Sequence, residues 1–188
     1  MMAVKAIIFD CFGVLYMPGS EYVAQQLSPE LRHTVRDLTK QANYGLISRE
    51  TYVQAISELT GQPLEELRRV DLRSFVRNDA LLAFAQTLRP HYKIGLLSNI
   101  SAHTMERFFA TPERTQLFDD VVISSEVGLI KPYPAIFELA AVRLGVKPEE
   151  AVVIDDTEDN CEGAQKTGMQ AIHYVDIAAT KRQLEKFL

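Results

Sequence analysis

Polar residues suited to chemistry follow three short apolar runs of this sequence: Asp10, then Ser98 and Asn99, then Asp155 and Asp156. Three carboxylates that meet in one place repel one another unless a cation lies among them. Oxygen ligands without Cys or His beside them favour Mg²⁺, which commonly uses one or two carboxylates plus waters and a substrate phosphate. One aspartate then remains free as a nucleophile towards phosphorus. These residues therefore predict phosphoryl-transfer chemistry, provided that the fold brings them together.

Ser98, Asn99 and Lys131 are candidates for completing such a site, because phosphoryl transfer needs charge neutralisation at the equatorial oxygens. Ser98 and Asn99 would supply hydroxyl and amide groups, and Lys131 is the best candidate for the positive charge. Pro132 and Pro134 make the segment around Lys131 a rigid loop that precedes a helix. Taken singly, Lys131 also fits a solvated surface lysine, and Ser98 with Asn99 also fit a helix cap.

Five short strands that alternate with helical patterns are predicted at residues 6–9, 93–97, 121–123, 151–154 and 170–174. This alternation predicts an α/β, Rossmann-like parallel sheet with helices on both faces. Right-handed crossovers place all carboxyl ends of such strands at one edge of the sheet. The polar residues that follow the strands should therefore converge there, although they are far apart in sequence.

Residues from about 21 to 76 have a helical pattern only. Ser28 marks one helix start, and Ser48 caps a second helix whose predicted apolar face is Tyr52, Ile56 and Leu59. The predicted division of the chain is an α/β core of residues 1–15 and 78–188 and an inserted helical block of residues 16–77. Tyr16, Tyr44 and Arg49 are candidates for facing a cavity below that block, although packing within it is the simpler expectation for each.

The composition is that of an ordinary soluble globular protein: 188 residues, 47% hydrophobic and 24% charged. A formal net charge of -5 argues against nucleic acid as a partner. The absence of a long apolar run and of a signal peptide predicts a cytoplasmic protein without a membrane partner. Cys11 and Cys161 lack metal-ligand spacing and are predicted to be buried thiols. No stretch dictates the oligomeric state, so a monomer and a homodimer are both expected possibilities.

Four motifs together resemble those of the haloacid dehalogenase superfamily, and the resemblance covers essentially the whole chain. They are residues 10–15 (DCFGVL), residues 97–99 (LSN), Lys131 with Pro132, and residues 154–156 (IDD) with Asn160 downstream. The helical block resembles the small α-helical cap of that family. The resemblance implies a Mg²⁺-dependent phosphatase that hydrolyses a small phosphorylated metabolite, such as a sugar phosphate, through an aspartyl-phosphate.

The resemblance also implies a role for each site residue. The catalytic residues would be Asp10, as the nucleophile, with Ser98 and Lys131. The phosphate would be bound by Ser98, Asn99 and Lys131. The Mg²⁺ ligands would be Asp10, the backbone carbonyl of Phe12, Asp155 and Asp156. Asn160 would orient the metal-binding loop.

Phe12 departs from the family pattern, because phosphatases of the family usually carry an aspartate there as the general acid. Loss of a general acid costs a factor of ~10²–10⁴ in rate. A good leaving group, such as that of a sugar 1-phosphate or an acyl phosphate, needs less protonation. Phosphatases of the α-glucose-1-phosphate type resemble this chain in lacking that aspartate and in their Gly-x-Ile-Ser stretch, here residues 45–48 (GLIS). Among the phosphatases of the family, the α-glucose-1-phosphate type is therefore the one that this chain is expected to resemble most.

Two other interpretations stay open because of Phe12. Metal-independent 2-haloacid dehalogenases carry an aromatic residue at that position, but their last motif lacks the paired aspartates that Asp155 and Asp156 form here. A non-catalytic relative that binds a phosphorylated ligand is the third interpretation, and Phe12 is its only support.

Overall fold

The computed structural model describes residues 3–18, 44–73 and 75–188, together with single positions 31, 34, 37, 38, 41 and 42. The predicted helix start at Ser28 lies outside the described residues. Among the helices that are described, none is both long and apolar enough to cross a membrane.

The strands are β1 (Ala6–Phe9), β2 (Tyr16–Pro18), β3 (Phe75–Arg77), β4 (Lys93–Ser98), β5 (Asp120–Ile123), β6 (Ala151–Asp155) and β7 (Gln170–His173). Five of them form one sheet in the order β5-β4-β1-β6-β7. Every pair of neighbours in this sheet is parallel. The predicted parallel sheet is therefore confirmed, with the strand that contains the Asp10 motif at its centre.

The described helices are α1 (Arg49–Thr60), α2 (Leu64–Arg73), α3 (Asp79–Leu88), α4 (Ala102–Phe108), α5 (Thr111–Leu117), α6 (Ser124–Val127), α7 (Pro134–Leu144), α8 (Glu158–Gln165) and α9 (Ile177–Leu184). They cover both faces of the sheet. Ile7 and Phe9 of β1 belong to the apolar core that includes residues of α3 and α9. Ala6 and Ile8 belong to the opposite core, which includes residues of α7 and α8. A strand buried on both faces reads as a continuous apolar run, as β1 does.

β2 and β3 form a two-stranded antiparallel ribbon, and β3 overlaps the end of the segment that the sequence predicted to be helical. The prediction was wrong at that end, because a strand of three residues is too short to show an alternating pattern. The ribbon joins the two points where the chain leaves the core and returns to it. Asn78 fixes this junction: its backbone N–H donates to Leu15 O at 2.8 Å and its side chain donates to Val14 O at 3.0 Å.

The predicted N-terminal cap of the helix that follows Ser48 is observed in the helical block. Ser48 Oγ accepts a hydrogen bond from Thr51 N at 3.1 Å and so caps α1, as predicted. Gly61, with φ of 68°, ends the helix in the left-handed conformation that favours glycine. The buried face of α1 is formed by Val53 and Ile56 and packs against α2. Tyr52 packs at the margin of that cluster, so the predicted apolar face is only partly the observed one.

Candidate active site

The carboxyl ends of the central strands bring the predicted site residues together. Asp10 directly follows β1, whose neighbours β4 and β6 end in Ser98 and Asp155. All three of these residues are buried, and so is Lys131. Asp156 follows Asp155 and is exposed. The carboxylates of Asp10, Asp155 and Asp156 each offer an oxygen, and these oxygens lie within 4.8 Å of one another.

Lys131 lies inside this cluster and not on the surface. Its Nζ donates to Asp10 Oδ1 at 2.7 Å and to Asp155 Oδ2 at 2.5 Å. Burial opposes the charge on this ammonium group, but the two carboxylates outweigh that effect and raise the pKa of Lys131 above its ordinary value. The group is therefore a fixed positive charge between two aspartates. The alternative of a solvated surface lysine does not hold.

Asn99 holds the loop that carries Lys131. Its Nδ2 donates to Lys131 O at 3.0 Å, and its Oδ1 accepts from Lys131 N at 2.9 Å. Both polar atoms of the carboxamide are thus engaged with the backbone of this loop. The loop also packs closely on α8, since a Cβ at Gly163 would lie 2.2 Å from Pro132 O.

Asp155 is oriented by two donors of its own loop. Its Oδ1 accepts from Asn160 Nδ2 at 2.9 Å and from the backbone N–H of Thr157 at 2.9 Å. With Lys131 on Oδ2, the carboxylate is fixed on both oxygens. Sequence reasoning missed Thr157. The signal was present, because an aspartate commonly accepts from the backbone N–H two residues further on.

Gly13 makes room for Asp156. A Cβ at this position would lie 2.0 Å from Asp156 Oδ2, and the backbone has φ of +92°. Only glycine satisfies both conditions without strain. Partial desolvation and the neighbouring Asp155 raise the pKa of the Asp156 carboxyl, although Lys131 opposes this. The turn after Asp10 is therefore built around a carboxylate whose charge is poorly compensated.

The charge on Asp10 is also poorly compensated. Burial raises the pKa of Asp10 to about 7, with Lys131 lowering it and Asp155 raising it further. Three carboxylates face one ammonium group here, so a divalent cation among them would balance the charge. The donor set consists of hard oxygens, as Mg²⁺ prefers. The residues present therefore fit a magnesium ion.

Ser98 supplies a second sign that a ligand belongs at this edge. Its Oγ is buried and has no hydrogen-bond partner in the described part of the chain. A buried hydroxyl without a partner is costly, and such groups are uncommon in native structures. A bound anion at the ends of β1 and β4 would accept this hydroxyl's hydrogen bond.

Phe12 is part of an aromatic cluster at the edge of the site. Its ring centroid lies 4.7 Å from that of Phe75 and 4.9 Å from that of Phe108. Tyr16 belongs to the same cluster, is buried, and donates from its hydroxyl to Phe108 O at 2.7 Å. Tyr16 thus packs within the fold and does not face a cavity. The Phe12 side chain, two residues after Asp10, is thus held between aromatic rings and cannot donate a proton.

Cys11 and Cys161 are free and buried, as predicted. Burial raises the pKa of the Cys11 thiol and raises that of Cys161 to about 11. Both groups are therefore protonated thiols at neutral pH and poor nucleophiles.

The fold is a Rossmann-like parallel α/β sheet, and a buried lysine and three aspartates lie together at its carboxyl edge. This arrangement is typical of an enzyme active site. The chain belongs to the haloacid dehalogenase-like hydrolases, since the sequence model of that family matches residues 4–168. It has phosphatases among its relatives. A phosphatase of Mycobacterium tuberculosis is 30% identical over 200 residues, which cover 96% of this chain and 91% of that protein.

Solved structures share the fold. A HAD family enzyme from Bacteroides thetaiotaomicron superimposes with a TM-score of 0.78 at 23% identity, over 96% of this chain and 100% of that one. The same enzyme has been crystallised with magnesium and inorganic phosphate. The L-2-haloacid dehalogenase of Xanthobacter autotrophicus superimposes with a TM-score of 0.70 at 20% identity, over 98% of this chain and 83% of that one. At these identities the likeness shows the fold.

Proposed function

We propose that this chain is a Mg²⁺-dependent phosphatase that hydrolyses a small phosphorylated metabolite. The observation that carries this proposal is the buried Ser98 hydroxyl, which has no hydrogen-bond partner among the described residues. It lies at the same edge of the sheet as the buried ammonium group of Lys131 and the carboxylate of Asp10. These groups form a pocket for an anion next to a nucleophile. The phosphatase of Mycobacterium tuberculosis supports the same activity.

In this proposal the cation is held by Asp10, Asp155, Asp156 and the backbone carbonyl of Phe12. When bound, Mg²⁺ supplies neutralisation of the negative charge on the phosphoryl group. Asn160 keeps Asp155 in the orientation that ligation needs, through the hydrogen bond at 2.9 Å. Asn99 acts as a positioning residue that presents Lys131, because its carboxamide is bonded to that loop.

The proposed reaction has two displacements at phosphorus. Lys131 holds Oδ1 of Asp10, so Oδ2 is the atom that attacks. A bond forms between Oδ2 and phosphorus, and the bond from phosphorus to the leaving oxygen breaks. Ser98 and Lys131 donate to the phosphoryl oxygens during this step. Water then attacks phosphorus, the bond to Oδ2 breaks, the Asp10 carboxylate is regenerated, and orthophosphate leaves with both protons of that water.

The leaving group must depart without a proton from Phe12. We therefore expect a substrate with a good leaving group, and a sugar 1-phosphate or an acyl phosphate meets this requirement. The stretch of residues 45–48 (GLIS) resembles one in phosphatases of the α-glucose-1-phosphate type, and this resemblance supports the sugar 1-phosphate.

The proposed division of labour assigns residues 1–15 and 78–188 to the catalytic core and residues 16–77 to a cap. The ribbon of β2 and β3 joins the two at one place. A cap attached in this way can close over the carboxyl edge and exclude water during the reaction.

A second candidate function is metal-independent removal of halide from a 2-haloacid by Asp10. Phe12, an aromatic residue within a cluster of rings, favours it. Asp156 argues against it, because an uncompensated carboxylate beside Asp155 serves no purpose in a site without a cation.

One experiment separates these functions. We expect hydrolysis of p-nitrophenyl phosphate with MgCl₂, none with EDTA, and a loss of about 10³-fold or more in kcat for Asp10→Asn, which removes the nucleophile. Asp159→Asn, an exposed carboxylate on α8, is the matched control and should keep the wild-type rate. Release of halide from chloroacetate in EDTA would contradict the proposal. If neither activity is detected and Asp10→Asn changes no measured property, the protein would instead be a phospho-ligand-binding relative.

A further inference from the structure

His173, the last residue of β7, contacts the loop that carries Asp156. Its Nε2 lies 2.8 Å from Asp156 O. A carbonyl oxygen only accepts, so Nε2 carries a proton and donates this hydrogen bond. His173 is exposed, and the site predicted from the sequence does not include it. The contact joins the last strand of the sheet to one of the three carboxylate residues of the cluster.

This hydrogen bond continues the pairing of β6 with β7 beyond the end of β6. Asp155 lies opposite His173 in the parallel register of the two strands. Asp155 O accepts from the backbone N–H of Tyr174 at 2.8 Å. The next carbonyl, that of Asp156, accepts from the side chain of His173. The end of β7 therefore holds two successive carbonyls of the loop, the first through its backbone and the second through a side chain.

The carboxylate of Asp156 has less support of its own than that of Asp155. The Asp155 carboxylate is buried and accepts from Lys131, Asn160 and the backbone of Thr157. From other described residues, the Asp156 carboxylate accepts one hydrogen bond, from Thr157 Oγ1 at the long distance of 3.4 Å. The nearby carboxylates repel it, and it is exposed, so it would turn towards solvent if its backbone were free to move.

The place that the Asp156 carboxylate occupies is narrowly defined. A Cβ at Gly13 would lie 2.0 Å from Asp156 Oδ2, so the carboxylate rests on the turn that follows Asp10. In this position an oxygen of Asp156 lies within 4.8 Å of oxygens of Asp10 and Asp155. A small displacement of the Asp156 backbone would therefore take one carboxylate out of the cluster.

We propose that His173 is a positioning residue for the divalent cation: its hydrogen bond to Asp156 O keeps the Asp156 carboxylate within the cluster and so raises the affinity of the site for Mg²⁺. This inference rests on the metal dependence in the proposed function. His173 acts through Asp156 and takes no part in the displacement at phosphorus. Residues that orient metal ligands contribute a factor of about 10–100 to metal affinity.

Calorimetric titration of MgCl₂ into protein freed of metal with EDTA and then dialysed tests the inference without turnover. We expect His173→Ala to raise the Kd for Mg²⁺ by about tenfold or more. His173→Gln should stay within about threefold of wild type, because its carboxamide N–H can replace the donor. Neither replacement is charged, so the difference between them reports the hydrogen bond. His91→Ala, the same change at an exposed histidine shortly before β4, should keep the wild-type Kd.

Two results of this titration would overturn the inference. One is a Kd for His173→Ala within about twofold of wild type, well below the loss typical of residues that orient ligands. The other is equal weakening by His173→Ala and His173→Gln, which would assign the effect to the imidazole ring and not to its hydrogen bond.

Thermal unfolding separates positioning of the cation from a contribution to stability alone. If His173 only stabilises the fold, His173→Ala should lower Tm by the same amount in EDTA and in MgCl₂. We expect a larger loss in MgCl₂, because the variant binds the cation more weakly and gains less stability from it by mass action. Equal losses in the two media would overturn the inference.

Rates on p-nitrophenyl phosphate distinguish this inference from the proposed function. His173→Ala should need about tenfold more MgCl₂ for its half-maximal rate and should reach a kcat within about twofold of wild type in saturating MgCl₂. An unchanged MgCl₂ requirement with normal hydrolysis would overturn the inference and leave the phosphatase function standing. Absence of hydrolysis by wild type would contradict the proposed function, whereas the Kd values for Mg²⁺ would still decide the role of His173. Absence of Mg²⁺ binding to wild type would overturn both.

Discussion

At the scale of single residues, we expect Phe12 to determine which leaving groups the proposed phosphatase accepts. Its ring packs against Phe75 and Phe108 and cannot donate a proton. We expect Phe12→Asp to raise kcat for ethyl phosphate relative to p-nitrophenyl phosphate by up to ~10²-fold, because an alkoxide needs protonation and a nitrophenolate does not. Initial rates on both substrates with MgCl₂ measure this ratio.

Phe12→Ala is the matched control, since it removes the ring and supplies no acid. Both variants lose aromatic packing and should lower the free energy of unfolding by roughly 2 kcal/mol, measured in urea. Only Phe12→Asp should change the ratio of rates. An equal change in both variants would show that the missing acid does not limit the reaction.

The sequence predicts the site residues that directly follow a strand and misses how the others are held. Asp10, Ser98 and Asp155 could be identified because each lies at the end of an apolar run, and a parallel sheet brings such ends together. Lys131 could be named as a candidate, but its burial between two aspartates depends on the path of a loop. Asn99 bonds to that loop across 32 positions of sequence, and no local pattern encodes such a contact.

At the scale of elements, Asp119 ties the start of β4 to the segment that enters β5. Its Oδ2 accepts from Ile94 N at 2.8 Å, and its Oδ1 lies 3.3 Å from Lys93 Nζ and 3.5 Å from Arg89 Nη2. Burial alone would raise the pKa of Asp119, but this hydrogen bond and the two cations lower it below its ordinary value. A carboxyl with a lowered pKa stabilises the fold above the pKa of the unfolded chain. That stabilisation is lost as pH falls through the folded-state pKa.

We therefore expect Asp119→Asn to lower the free energy of unfolding by about 0.5–1 kcal/mol at pH 7, a small value because solvent screens the partly exposed group. The difference from wild type should disappear as pH falls below about 4. Urea unfolding across this range measures it, with Glu185→Gln, an exposed acidic residue, as control. A difference that stays constant with pH would assign the loss to packing and not to charge.

The strands of the parallel sheet and the helix α7 were predicted, whereas the short strands β2 and β3 of the ribbon were not. The helix that the sequence places after Pro132 and Pro134 is observed as α7, which begins at Pro134 and ends before Gly145. The helical pattern after β4 forms two helices, α4 and α5. β2 and β3 have three residues each and form only because the chain returns beside its exit point. Such pairing depends on tertiary contacts and leaves no periodic pattern.

At the scale of the whole molecule, we expect the carboxylates of the site to oppose the stability of the fold when no cation is bound. Asp10, Asp155 and Asp156 present three carboxylates within one cluster, and Lys131 compensates only part of their charge. In EDTA we expect Asp156→Asn to be more stable than wild type by about 1 kcal/mol, because it removes one of these repelling charges.

Magnesium should reverse this order of stability. A ligand that binds the folded state raises its stability by mass action, and the variant binds the cation more weakly. Thermal unfolding should therefore show a higher Tm for wild type in saturating MgCl₂ and a higher Tm for Asp156→Asn in EDTA. Asp159→Asn, an exposed change in the first turn of α8, should shift Tm equally in both media. If MgCl₂ raised the Tm of wild type and Asp156→Asn by the same amount, Asp156 would not be a ligand. Metal binding by Asp156 would then not explain why three carboxylates lie together at this site.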